Sequence, residues 1–349
     1  MGLAVAGAAQ GAADAAAAAR AQLERAAPAA WAPERALLLS VARAGQRLVA
    51  VGEHGVIAVS DDGGRQWRGV PSGVSAALTQ VRFADAQKGW AVGHFGLVLQ
   101  TLDGGATWQR RLDGVQAAAL SLKQRTAAGE DERALRSAQR LVDDGPDKPL
   151  LDVLTDGPRV LVVGAFNTAW RSDDAGRQWQ DATPLAANPR DLHLNGAALA
   201  AGKLWLVGES GLVLSGTPDG RDFSRVTLPY QGSLIGVLPL GTQGVLVHGL
   251  RGNVLVSADA GASWKAAKLP EDAGTTTVNC AARLADGRVV LGNQAGDLLV
   301  SADQGQSFTR VQRVGIPITG IAQAADGALV LTTYAGAMRL PATDVQASR

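Results

Sequence analysis

The sequence predicts an all-β fold, a seven-bladed β-propeller of four-stranded blades interrupted by one inserted helical hairpin. Two observations carry that expectation. One pattern recurs along the chain: a short apolar run, Gly, two or three variable residues, Gly, an alternating apolar run, and a polar turn closed by an aromatic. Its copies are Leu48–Trp67, Gly89–Trp108, Val160–Trp179, Leu204–Phe223, Val245–Trp264 and Val289–Phe308, and a seventh, Leu329–Leu340, stops before the turn. The closing aromatics fall at 67, 108, 179, 223, 264 and 308, so the gaps are 41, 71, 44, 41 and 44 residues. A period near 40 with several short strands per unit marks a propeller rather than a helical solenoid. A further strand precedes each motif, as at Thr79–Phe83, Gly232–Pro239, Val278–Leu284 and Ile318–Gln323, and with the segment after the aromatic each unit reaches four.

From the N-terminus, residues 1–25 read as an Ala-rich tail or the remnant of a signal peptide. Met1 to Asp14 resemble the end of a secretory apolar region followed by small residues, without the basic stretch that precedes one. The propeller then occupies 26–345. The seventh unit lacks its outer strand, and two segments compete to close the ring. One is Ala26–Arg35, whose Trp31 would stand in for the missing aromatic, and the other is Ala342–Ala347. The 71-residue gap exceeds one blade, and the excess, Leu112–Pro149, has helical spacing of apolar residues around Gly129. Two short helices between blades 2 and 3 are expected there, with a flexible surface excursion as the competing reading.

The turn has its own chemistry. In Ser257-Ala-Asp259-Ala-Gly261-Ala-Ser-Trp264 the Asp carboxylate accepts backbone N–H groups, the Gly takes a positive φ, and the aromatic packs beneath. These residues resemble the Asp-box, or BNR repeat, of sialidases and several non-catalytic propellers. The copies place Asp62 and Trp67, Asp103 and Trp108, Asp174 and Trp179, Asp259 and Trp264, and Asp303 and Phe308 as structural staples, while the copy at Gly216–Phe223 is degenerate.

Function is sought in the loops between the paired glycines, which join the second and third strands of each blade. They carry Glu53 and His54, His94 and Phe95, Phe166 and Asn167, Glu209, Arg251, Gln294, and Tyr334. Scarce aromatic and polar types on a constant framework suit a protein-binding face, though ordinary loop tips beside a channel would look the same. The insertion leaves from a blade-to-blade connection and so belongs to this face, as a lid or docking arm.

Other classes find less support. With 33 basic and 32 acidic residues the chain carries no charge bias toward nucleic acid. No run of about 18 apolar residues follows the N-terminal segment, so no membrane span is expected. The single cysteine, Cys280, reads as a small core residue and suits either a reducing cytosol or an export compartment. A sialidase-like glycosidase or a glycan binder is the alternative function. It would draw on Tyr334, Glu209 and Arg251, but only two tyrosines exist, Tyr230 being the other. No metal site is expected, since His54 with Glu53 and His94 come from the separate loops of adjacent blades and their spacing has no intrinsic specificity. No cofactor is expected either, because the Gly pairs never open a helix.

Blades with Val-Gly-x-x-Gly junctions and Asp-boxes over roughly Leu37–Leu340 look like the photosystem II stability/assembly factor family. They are most similar to its members from non-photosynthetic bacteria, which carry a like insertion ahead of a segment such as Asp144-Gly-Pro-Asp-Lys-Pro149. The resemblance implies a non-catalytic interaction scaffold or assembly factor, exported to the periplasm, monomeric, and serving a membrane-protein or transport complex. Asn167 in place of a second Gly, and Arg251 as the one clear loop arginine, depart from the family pattern and put the photosynthetic role in doubt.

Overall fold

A computed structural model describes residues 17–26 and 35–345. Among the described residues six antiparallel sheets of four strands and a seventh of three, in simple sequential order, stand around one axis. The innermost strands, Leu38–Ala44, Leu78–Phe83, Leu150–Asp156, Leu194–Ala200, Leu234–Leu240, Val278–Arg283 and Ile318–Gln323, each touch the next, and the last touches the first. They enclose a polar channel of about 470 Å³.

The motif's apolar run is the second strand of each blade. It is sandwiched between neighbouring blades, so it reads as a continuous apolar stretch instead of alternating; Leu48, Val49, Ala50 and Val51 are all fully buried. The glycine ending this strand is set by close approach. A Cβ on Gly52, Gly93, Gly164, Gly208 or Gly249 would lie 1.9–2.3 Å from the carbonyl oxygen of the residue entering that blade's inner strand.

The Asp-boxes form as the turn chemistry dictates. Ser257 Oγ donates to Asp259 Oδ1 at 2.8 Å, Gly261 N–H donates to Ser257 Oγ at 2.8 Å, and Ser263 N–H donates to Asp259 Oδ1 at 2.8 Å. They also join blades, which the motif alone does not reveal. Trp179 of blade 3 meets Trp90 of blade 2 edge to face at 6.1 Å, and Trp264 of blade 5 meets Trp205 of blade 4 at 5.8 Å.

Of the two closures expected for blade 7, the C-terminal one does not form among the described residues. Ala342–Val345 is a 3-10 turn and adds no strand to blade 7; Trp31 and residues 27–34 lie outside the described residues. Among the described residues the seam is made by side chains. Thr319 Oγ1 of blade 7 donates to Leu38 O of blade 1 at 2.7 Å, and Arg339 Nε donates to Gly63 O at 2.9 Å. Asp326 receives both Arg339, at 2.5 Å, and Arg65, at 3.1 Å. The same device recurs round the channel: Thr79 donates to Leu150 O at 2.6 Å, Asn195 to Leu234 O at 2.7 Å, and Asn279 to Ile318 O at 3.0 Å. Much of the channel's polar lining is therefore engaged in holding blades together. Cys280 sits half-buried in this wall against the Gly292 and Ile318 carbonyls, and burial pushes its thiol up to about 12.

The insertion is helical, as expected, and is firmly docked. Helix α1 comprises residues 17–24; α2 is Gly114–Ala128 and α3 is Glu132–Asp144. Asp113 and Asp131 cap α2 and α3 by accepting from Gln116 N–H at 3.0 Å and Ala134 N–H at 2.9 Å. The buried Arg125 of α2 donates from Nε to Asp181 of blade 3 at 2.8 Å. Gln124 brackets the same strand, donating to Trp179 O and accepting from Asp181 N–H, each at 2.9 Å.

Candidate functional site

The seven loops between second and third strands share a face with the blade-to-blade connections. Most are tight turns in which a non-glycine residue takes the left-handed conformation: His54 (φ 56°), Phe95 (60°), Asn167 (62°), Ser210 (50°) and Arg251 (55°). Such a conformation costs about 1 kcal/mol for a residue with a Cβ. Here the bond across the turn, as from Val56 N–H to Glu53 O at 3.1 Å, holds it.

The structure sorts the predicted residues into those that converge and those that do not. Phe95 and Phe166, from the loops of blades 2 and 3, line a cleft of about 700 Å³ together with Arg140 and Leu141 of α3, Pro146 and Lys148. Ala19 of α1 and Asp191 complete two of its edges. Phe166 is 54% exposed, large for a phenylalanine, yet it is fixed in place. Lys148 Nζ stands 5.1 Å above its ring, and the His193 ring meets it at 4.7 Å and 72°. Burial works against the Lys148 charge, but Asp147 and Asp144, at 2.5 and 2.9 Å, hold the ammonium above the usual lysine range. Gly96 N–H donates to Lys148 O at 2.8 Å, so the loop of blade 2 and the end of the insertion move as one piece.

Neighbouring predicted residues have local duties. Glu209 accepts from His193 Nδ1 at 2.7 Å and from His193 N–H at 2.9 Å. Burial raises the Glu209 carboxyl, and these bonds to His193 outweigh it and hold the group below the usual carboxylate range. His94 stacks edge-on to Phe95 at 6.1 Å, and burial lowers its pKa against the opposing charge of Glu53. Glu53, His54 and Arg251 are exposed on their own loops. Gln294 accepts from Asn279 at 3.0 Å, and Tyr334 is 46% exposed in blade 7. Tyr334, Glu209 and Arg251 belong to the separate loops of blades 7, 4 and 5 and share no pocket wall with the cleft. Among the described residues no group of three His, Cys, Asp or Glu side chains could hold a metal ion.

One expectation is corrected. Asn167 is not on the binding face; its exposure is 0%. It accepts from Asn188 Nδ2 at 2.8 Å and donates to Asn188 O at 3.3 Å. In other blades this position is a glycine packed against the connection, where a Cβ on Gly55 would lie 2.1 Å from Val74 O; in blade 3 Asn167 meets Asn188 there instead. Sequence reasoning also missed Lys148, Arg140 and His193, although Lys148 stands in the Asp-Lys-Pro segment that ends the insertion.

A larger cavity, about 810 Å³, lies elsewhere, between blades 5 and 6 on the Asp-box side. Its carboxylates, Asp259 and Asp303, are engaged by their own boxes through Ser263 and Ser307. The smaller cleft is the better candidate because it gathers an exposed aromatic, unlike charges and helices from outside the repeat.

Comparison with known proteins bears on both fold and face. No curated protein matches the sequence. Among solved structures, YCF48 bound to a D1 peptide is similar at 17% identity and a TM-score of 0.62, covering 88% of this chain and 94% of that one. YCF48 from Cyanidioschyzon merolae is similar at 14% identity and 0.65, covering 92% and 99%. A GH74 xyloglucanase from Xanthomonas campestris reaches 15% identity and 0.66 over 93% of this chain and 54% of that one. Likenesses this distant show the propeller alone. The family signature is more specific: it matches residues 60–131 and 134–338, most of the chain, and the protein belongs to the family of the photosynthesis system II assembly factor YCF48.

Proposed function

We propose that this protein is a non-catalytic interaction scaffold, an assembly or stability factor that seats a segment of a membrane-protein or transport partner in the cleft between α3 and the loops of blades 2 and 3. The observation that carries the reading is Phe166, a large apolar side chain held out to solvent between Lys148 and His193. Exposed aromatics in a preformed cleft are the usual anchors of protein interfaces. Membership of an assembly-factor family supports it, as does the D1 peptide bound to the similar YCF48. The protein acts as a monomer exported to the periplasmic side of the membrane, consistent with its Ala-rich apolar N-terminal segment. Among the described residues no helix is long and apolar enough to cross a membrane.

Affinity capture from detergent-solubilised native membranes tests this. The wild-type chain recovers a membrane protein, and Phe166→Ala and Arg140→Glu each reduce recovery by about tenfold or more, the effect of losing a central anchor. Recovery equal in all three chains, or no recovery by the wild type, would refute the reading. A glycan array with a glycoside turnover panel checks the carbohydrate alternative, and turnover abolished by Tyr334→Phe would replace the scaffold reading with it.

A further inference from the structure

Helix α1 lies on the loop face beside the cleft, outside the repeating architecture. Within residues 17–26 only Ala19 and Leu23, one turn apart, are buried, at 4% and 3% exposure. Leu23 enters the apolar cluster that holds Val74, Ala76 and Leu97, with Phe95 packed at its edge. Ala19 forms part of the wall of the cleft. The backbone is recognised as well. Ser75 donates to Gln22 O from its N–H at 2.9 Å and from its hydroxyl at 3.3 Å, and Arg110 Nη1 donates to Leu23 O at 3.3 Å. Last-turn carbonyls have no partner inside a helix, and a cation there also suits the helix dipole. An apolar hole and three donors, one of them a guanidinium, thus form a socket for the C-terminal turn of a helix.

We propose that this socket is a helix-docking site. It takes the C-terminal turn of a partner helix that presents a small residue and a leucine four positions apart, and α1 is the chain's own competing occupant. The inference rests on the reading that the loop face receives a protein. The chemistry of the occupant is read from α1 itself, which is seated there through two side chains and three hydrogen bonds. So few contacts leave it displaceable. Helix-in-groove recognition through apolar anchors at i and i+4 is a recurring mode of partner binding.

The test uses the full chain and a stapled fluorescent peptide of residues 17–26 as probe. The wild type binds it weakly because its socket is filled. Leu23→Asp in the chain empties the socket and binds the peptide about tenfold tighter or more, as removal of an internal competitor requires. Adding Arg110→Ala reverses most of that gain. Equal affinity in wild type and Leu23→Asp, or equal binding of a peptide that itself carries Leu23→Asp, overturns the proposal. Should Leu23→Asp unfold, hydrogen exchange on the wild type decides: excess peptide must speed exchange of residues 17–26, and unchanged exchange overturns it. The readout is this chain's own helix, so its failure leaves the Phe166 capture experiment standing, and the converse holds.

Discussion

His248 should make the propeller lose stability on mild acidification. The ring is buried in the channel wall, and Nδ1 lies 2.9 Å from Val278 O of the next blade, so the neutral ring carries its proton there and donates it. Gly236 packs against the other edge of the ring, where a Cβ would meet Nε2 at 2.4 Å. Burial lowers the His248 pKa from 6.5 to about 4, with the Val278 carbonyl opposing. Between those values the unfolded chain binds a proton that the folded one refuses, so stability is full above pH 6.5 and falls as pH drops toward 4. Each tenfold drop in proton affinity is worth about 1.36 kcal/mol, which brings the full loss to roughly 3 kcal/mol. Urea unfolding of wild type and His248→Asn at half-unit steps from pH 7.5 to 4 measures it; the asparagine keeps a donor toward Val278 and cannot charge. The stability difference between the two should narrow steadily, or reverse, as pH falls. A difference independent of pH would refute the assignment of a buried neutral imidazole.

Two further outcomes follow from charges held elsewhere. The Ser263 hydroxyl and N–H, with the Ser257 hydroxyl, hold the Asp259 carboxyl at about 2, below its ordinary 3.8. Its contribution is present above that ordinary value and is lost as pH falls toward 2; Asp259→Asn should flatten this lower limb of the unfolding curve and leave the His248 limb intact. In the insertion, Arg125→Met should cost about 3 kcal/mol locally, because it strands the Asp181 carboxylate, whose side chain is 5% exposed, without its cation. Hydrogen exchange should then show α2 and α3 deprotected while the blade strands keep their protection.

The repeat made the propeller legible because its period is enforced residue by residue. Apolar runs must fill the space between blades, the glycine after each run must let the incoming chain pass, and the Asp-box must turn the next hairpin. The seam contacts among the described residues were not legible, because they are single contacts between residues far apart in sequence, such as Arg339 with Gly63 and Thr319 with Leu38. No periodicity marks those. The site was half legible. Phe95 and Phe166 stood out as scarce types at loop tips, and the insertion as excess length. The cleft draws on the loops of blades 2 and 3, which adjoin the insertion, while Tyr334 and Gln294 line no part of it. The docking of α1 was hidden by composition, since an Ala-rich stretch gives little sign that Ala19 and Leu23 seat it.

The cleft forms where the repeat is broken, and each break has a local cost that the repeat would have avoided. Blade 3 has Phe166-Asn167-Thr168 where most blades have a glycine, and both Phe166 and Asn167 take positive φ, at 53° and 62°. Two consecutive left-handed residues with Cβ atoms are unfavourable by a few kcal/mol unless the surroundings impose them. The Asn167–Asn188 hydrogen bonds do so, at 2.8 and 3.3 Å, within a turn closed like the others, here by Thr168 N–H donating to Ala165 O at 3.1 Å. The blade's entering connection is the one lengthened by α2 and α3, which brings Lys148 over the Phe166 ring. A sequence selected for stability alone would restore the glycine and shorten the connection. Departures from local rules that coincide at one place and expose an apolar group are best explained by what that place binds.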